Sequence, residues 1–302
     1  MNPWLVVLVQ GLALCLSLGL LYPQQVLAQT SPLNPDLKTP ETPEQLLERG
    51  IAFIQLGNLE KAISTFRDAI HKNPNLIPAH YNLGLALAQI GKPKEAIRAF
   101  YRSIELKPDF AIAYSNIGAA SLEINDAATA VLYSKRAIEL SPNLAIAYYN
   151  LGLGLKQQKN ISGAIAQLLK SESLDPNSPE TAYNLGLLIQ EIGNLNKAME
   201  YYRKALVINP KYAEANYNLG AALLVQSKPD QSITYFQQAI NQKKEQKKEY
   251  ANAYYGLGIA QANLGKKSEA IQSFIRAQAL FNLQQNSQWA QASEQQIKKL
   301  QP

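Results

Sequence analysis

The sequence predicts an all-α fold, a solenoid of seven copies of one helix–turn–helix unit, and three independent registers predict it. Gly50, Gly84, Gly118, Gly152, Gly186 and Gly220 step by 34 residues, and Gly258 follows after 38. Pro74, Pro108, Pro142, Pro176 and Pro210 keep the same step, each 24 residues after a register glycine. Ala62, Ala96, Ala130, Ala164, Ala198, Ser232 and Ala270 each lie 12 residues after their glycine, so a small residue recurs at a fixed place. Around the glycines the tetrapeptide Tyr-Asn-Leu-Gly is nearly repeated at Tyr81–Gly84, Tyr149–Gly152, Tyr183–Gly186 and Tyr217–Gly220.

Each element of the unit has a local cause. In residues 179–212, Leu185, Leu188, Ile189 and Ile192 fall at the three- and four-residue steps of one helical face. Gly193-Asn194 breaks that helix. Ala198, Tyr201, Tyr202, Ala205 and Leu206 then form the face of a second helix, which Pro210 closes. Glycine inside a helix costs about 1 kcal/mol relative to alanine, so a register of them requires a packing reason. The spacing predicts close approach of the paired helices, with Gly186 facing Ala198.

This 34-residue pattern, over roughly residues 43–284, resembles the tetratricopeptide repeat (TPR) family. The resemblance implies a right-handed superhelical solenoid of seven repeats whose first helices line a concave groove. Units that touch only their neighbours build such an array, and its ends need capping.

Taken in order, the chain begins with an apolar run, Trp4 to Tyr22, interrupted only by Gln10 and Ser17 as polar side chains. Pro23 and then Val26-Leu27-Ala28 follow, the pattern of a signal peptide over 1–28 cleaved after Ala28. The run carries no Lys or Arg before it and is long enough to span a bilayer, so an uncleaved membrane anchor through residues 4–22 is the alternative. Cys15 is the sole cysteine, preceded by a bulky Leu14 that suits a lipoprotein signal poorly. A mature chain without it has neither disulfide nor cysteine nucleophile. Residues 29–42, with Pro32, Pro35 and Pro40, read as an extended linker. These features place the expected location outside the cytoplasm, in a periplasm or comparable compartment.

The seven repeats occupy 43–284. Arg49 replaces the Leu or Ile of the other units, as expected of a terminal repeat with one solvated side. The sixth repeat lacks its closing proline and contains the lysine-rich run 243–249, which predicts a longer, solvated second helix. Beyond it, Trp289, Ala292, Gln296 and Leu300 form one stripe of a capping helix within 285–302.

Catalytic chemistry finds no constellation. The two histidines, His71 and His80, stand apart from any second ligand, and His80 occupies the register of Tyr114, Tyr148 and Tyr254, a packing place. No metal or cofactor site of ordinary spacing can be written. Gly152-Leu153-Gly154 and Gly256-Leu257-Gly258 sit inside helices and follow no strand, which argues against a phosphate loop. Asn160-Ile161-Ser162 fits a glycosylation sequon and matters only in a eukaryotic host. The expectation is a protein that is not an enzyme and needs no cofactor.

Charge narrows the partners. The chain is +6 overall, yet the first helices hold Arg49 and Lys156 against Glu44, Glu48, Glu123, Glu180, Glu191 and Glu214, a balance of 2 − 6 = −4. A groove lined by first helices is therefore apolar to mildly acidic, opposite in sign to a nucleic-acid channel. The sixth position of the unit is Asn82, Asn116, Asn150, Asn184 and Asn218 in five consecutive repeats. With Tyr149, Tyr183, Leu153 and Leu187 on the same face, these asparagines form a candidate peptide-binding ladder, or else they pair with a neighbouring repeat. First helices about 8–10 Å apart and an extended peptide advancing about 3.3 Å per residue would bring a rung to about every third ligand residue.

The expected function is a non-enzymatic scaffold that binds an extended peptide or protein segment, neutral to mildly basic and partly apolar, with assembly of a larger complex as an expected setting. The alternatives are a membrane-anchored assembly factor acting through a basic convex surface and, less favoured, the regulatory partner of an enzyme. A receptor of the carboxylate-clamp type is disfavoured, because Lys and Arg are missing from the inner positions that class uses.

Overall fold

The computed structural model describes residues 41–245 and 250–301. The apolar run and leader of 1–28, the linker up to residue 40 and residues 246–249 of the lysine-rich run lie outside the described residues. Among those described, regular structure is helical throughout, and the chain divides into two compact units at Leu174/Asp175. The 34-residue period runs through this division without a mark.

The first unit holds α1 (Pro43–Gln55), α2 (Leu59–Lys72), α3 (Ile77–Gln89), α4 (Pro93–Leu106), α5 (Ala111–Glu123), α6 (Ala127–Leu140), α7 (Ala145–Gln157) and α8 (Ile161–Leu174). The second holds α9 (Pro179–Glu191), α10 (Leu195–Ile208), α11 (Ala213–Val225), α12 (Pro229–Glu245), α13 (Ala251–Asn263), α14 (Lys267–Leu283) and α15 (Ser287–Leu300). Odd-numbered helices up to α13 open a repeat and the next even-numbered helix closes it. Within each unit consecutive helices pack together, and the result is an all-α solenoid architecture.

The turn inside each repeat has one backbone conformation. A residue with positive φ, such as Gly57, Asn125, Lys159 or Gly193, reverses the chain after the first helix. The residue after it then caps the second helix: Asn58, Asp126, Asn160 and Asn194 each accept a backbone N–H three residues on. Where that residue is Lys92, Pro93 opens the helix instead. At the other end of the repeat, the proline follows the second helix and its carbonyl is captured by the next one. His80 Nε2 lies 2.8 Å from Pro74 O, and Tyr148 donates to Pro142 O at 3.2 Å. His80 is thus a loop clasp, the part that Tyr148 plays at the same register two repeats later.

Five of the seven register glycines meet rings, while Gly118 meets Ser134 and Gly152 meets Leu168. A methyl group added at Gly186 would lie 2.5 Å from Tyr202 Cε1, and one at Gly84 would lie 2.5 Å from Phe100 Cε1. The expected close approach of Gly186 to Ala198 is present, with the Ala198 carbonyl oxygen 3.3 Å from that methyl, and the Tyr202 ring is a nearer neighbour that the spacing did not predict. The glycine thus admits both the facing backbone and an aromatic side chain. Ile192 is a correction, since it is the cap residue after α9 and is exposed.

Repeated ring contacts build the rest of the core. Tyr81 meets Phe100 at 5.8 Å and Phe110 at 4.9 Å; Tyr183 meets Tyr202 at 6.0 Å and Tyr212 at 5.0 Å. In the last repeat Tyr255 meets Phe274 at 5.4 Å, and Trp289 of α15 supplies the third ring at 5.1 Å. The final helix thus extends the same aromatic series, with Ala290, Ser293 and Ile297 buried beneath it. At the other end, Arg49 is exposed and pairs with Glu41 at 2.5 Å. The second helix of repeat six is longer than those of repeats one to five, 17 residues against 14 in α10, but its Lys243 is not solvated. Its side chain is 13% exposed and turned onto Glu214.

Candidate functional site

The asparagine ladder is tied into the fold by one recurring bond. Asn116 Nδ2 donates to the Tyr81 hydroxyl at 3.0 Å, Asn150 Nδ2 to the Ser115 hydroxyl at 3.0 Å, and Asn218 Nδ2 to the Tyr183 hydroxyl at 3.0 Å. In each case the acceptor stands 35 residues earlier, at the fifth position of the preceding repeat. Asn150 also donates to the Ser115 carbonyl at 3.0 Å. Asn82 has Leu47 in the place of that hydroxyl and turns back to Pro78 O at 2.8 Å on its own helix. Asn184 likewise donates to Glu180 O at 2.9 Å. A hydroxyl at position five followed by Asn at position six of the next repeat was a readable sequence signal for this bond.

The nine residues singled out by sequence fall into two settings. Asn82, Asn116, Asn150, Tyr149 and Leu153 belong to the first unit, and all five are buried. The register neighbours Leu85, Ala119 and Leu122 are buried with them. In the second unit the same positions are more open. Tyr183, Leu187 and Asn218 are half-buried, as are Tyr217, Ala221, Tyr255 and Ile259, while Gln190, Glu191 and Asn252 are exposed. Asn184 is the exception and is buried. The inner faces of α9, α11 and α13 thus present an accessible surface of tyrosine rings, aliphatic side chains and amides.

Three carboxylates and no basic residue stand on these three helices: Glu180, Glu191 and Glu214. Glu214 is neutralised from α12, Lys243 Nζ lying 2.6 Å from its Oε1. The same ammonium sits 5.9 Å from the centre of the Tyr250 ring. Glu180 is only 5% exposed, accepts from Ser178 Oγ at 3.3 Å, and has its pKa raised because burial penalises the ionised form. Burial, with the Glu214 charge adding to it, pushes the Tyr183 hydroxyl up to about 12; burial also raises Tyr217 and Tyr250. These phenols are neutral donors at physiological pH.

The described residues bring together no group of three or more His, Cys, Asp and Glu side chains that could hold a metal ion. Among them no helix is long and apolar enough to cross a membrane. The chemistry on offer is hydrogen bonding, aromatic contact and negative charge.

Comparison with known proteins agrees with the repeat frame. Family models described as tetratricopeptide repeat match residues 77–110, 145–178 and 211–282, and one described as TPR repeat matches 50–91 and 190–227. A comparison with curated proteins gives no match. Among solved structures, the chain is similar to pilF of Pseudomonas aeruginosa, with TM-score 0.58 and 23% identity over 65% of this chain and 89% of that one. It is similar to MamA, with TM-score 0.50 and 28% identity over 58% of this chain and 96% of that one. A chain of the APC/C hetero-tetramer Cut9-Hcn1 gives TM-score 0.66 at 17% identity, covering 74% of this chain and 44% of that one. The repeat period, the helix pairs, the glycine-on-ring packing and the matching family models all converge: this chain belongs to the tetratricopeptide-repeat family.

Proposed function

We propose that the protein is a non-enzymatic interaction scaffold that holds an extended peptide or protein segment against the inner faces of α9, α11 and α13, and that it works outside the cytoplasm. Tetratricopeptide proteins bind protein or peptide partners, which supports the general reading. The observation that carries the particular one is the difference in exposure at equal register. Positions occupied by buried Asn150 and Leu153 in the first unit are held by half-buried Asn218 and Leu187 in the second. A ligand needs surface to desolvate, and Tyr183, Leu187, Tyr217 and Ile259 offer it at successive repeats. The apolar run Trp4–Tyr22 and the Val26-Leu27-Ala28 sequence support export.

A photoreactive residue in place of Leu187 tests this. On irradiation in the native compartment it is expected to trap a polypeptide partner, whereas the same residue in place of Leu132, exposed on the second helix α6, is not. Equal capture by both positions, or capture only from position 132, would sink the inner-face assignment.

A further inference from the structure

Glu180 and Glu214 occupy the same place in consecutive repeats, the second position of α9 and of α11. At Glu214 the chain shows what such a carboxylate takes: the Lys243 ammonium, 2.6 Å away and set against the Tyr250 ring. One repeat earlier, the register of Lys243 is held by Asn209 and that of Tyr250 by Tyr212. The carboxylate and the ring are kept, and the lysine is replaced by a neutral residue. Among the described residues Glu180 forms no ion pair, and its one side-chain partner is the Ser178 hydroxyl at 3.3 Å. A side chain that is 5% exposed and ionisable without a counter-charge is costly unless something completes it.

We propose that the second unit binds a peptide carrying a Lys or Arg side chain that pairs with Glu180, doing in repeat five what Lys243 does in repeat six. The inference rests on the inner-face reading above and names the chemistry of its ligand. Charge complementarity supports it, because among the described residues only Glu214, of the three carboxylates on α9 and α11, has a cation, Lys243 from α12, and α9, α11 and α13 bear no cation of their own. Aromatic surface supports it too: the Tyr183 and Tyr212 rings meet at 5.0 Å, and a cation beside such rings and a carboxylate gains from both. Exposed Glu191, one end of the same helix, supplies longer-range attraction and leaves selection to the buried acid. The occupant is a cationic and partly apolar segment; an acidic tail or a nucleic acid would meet charge of its own sign.

The test uses the full chain and two fluorescein-labelled probes of about ten residues, long enough to cross three first helices about 10 Å apart. One alternates Leu with Lys and the other alternates Leu with Gln. The Lys probe is expected to bind about tenfold more tightly, the scale of one charge-assisted hydrogen bond. Glu180→Gln should remove that preference while melting no lower than the parent, since Gln carries no charge to desolvate. Glu191→Gln should leave the preference in place. Equal binding of the two probes by the parent, a preference that survives Glu180→Gln, or equal losses in the two variants would overturn the proposal. If the Gln probe binds all three proteins as well as the Lys probe does, the inner-face reading stands and the Glu180 pairing falls. If neither probe binds, both fall.

Discussion

At the scale of single residues the register glycines carry the most information, and they are not equivalent. At Gly186 an added methyl meets the Tyr202 ring, which is fully buried and hydrogen-bonded through its hydroxyl to Gln190 Oε1 at 2.7 Å. That ring has nowhere to move. At Gly118 the nearest atom is the Ser134 hydroxyl oxygen, 2.6 Å from the methyl, at the tip of a short side chain that can rotate away. Gly186→Ala is therefore expected to destabilise by about 1–3 kcal/mol, the scale of overpacking, and Gly118→Ala by distinctly less. Urea denaturation of the two variants compares them directly. Similar midpoints would mean that the facing ring does not set the requirement for glycine.

At the scale of elements the open question was what the asparagines do, and it turns on a partner 35 residues away. The sequence shows Asn at the sixth position and hydroxyl residues at the fifth; neither alone says that the one reaches the other across the repeat boundary. The bond forms because neighbouring first helices in a unit are offset by one repeat, which sets Asn150 beside Ser115 and Asn116 beside Tyr81. Asn150→Ala deletes two hydrogen bonds at a position with no exposed surface and leaves the Ser115 carbonyl without that donor. A loss of about 1–3 kcal/mol in thermal or chemical denaturation is expected. A variant as stable as the parent would show that these amides contribute nothing to repeat stacking. Many helix ends, by contrast, were legible: Asn58, Asn160 and Asn194 announce second helices by their capping chemistry and the prolines announce the ends of repeats, whereas Ile192 lies just past the end of the face it was assigned to.

At the scale of the whole molecule the +6 charge is unevenly distributed, and this bears on partner choice more than its total does. Helices α9 and α11 carry Glu180, Glu191 and Glu214 and α13 carries no charge, while the basic excess lies elsewhere; with Glu214 paired to Lys243, the negative charge of these first helices rests on Glu180 and Glu191, opposite in sign to that of the protein. The export reading belongs to this scale as well. The intact mass of protein recovered from its native compartment is expected to match a chain beginning at Gln29, the residue after the small-residue site at Ala28. A mass retaining Met1, in protein that fractionates with membranes, would favour the anchor over cleavage.

The period, the repeat frame, the helix pairs and the capping helix were determined by the sequence alone, because each depends on residues within one unit: apolar steps, a turn residue, a cap, a proline. Tertiary structure decided the rest. Whether Leu153 or Leu187 keeps exposed surface, whether Lys243 faces water or Glu214, and whether an asparagine reaches a hydroxyl of the preceding repeat all depend on which surfaces neighbouring repeats cover. A register repeated every 34 residues presents the same side chain again and again. It does not encode how much water is left over each copy, since burial is a property of the packed neighbours and not of the residue.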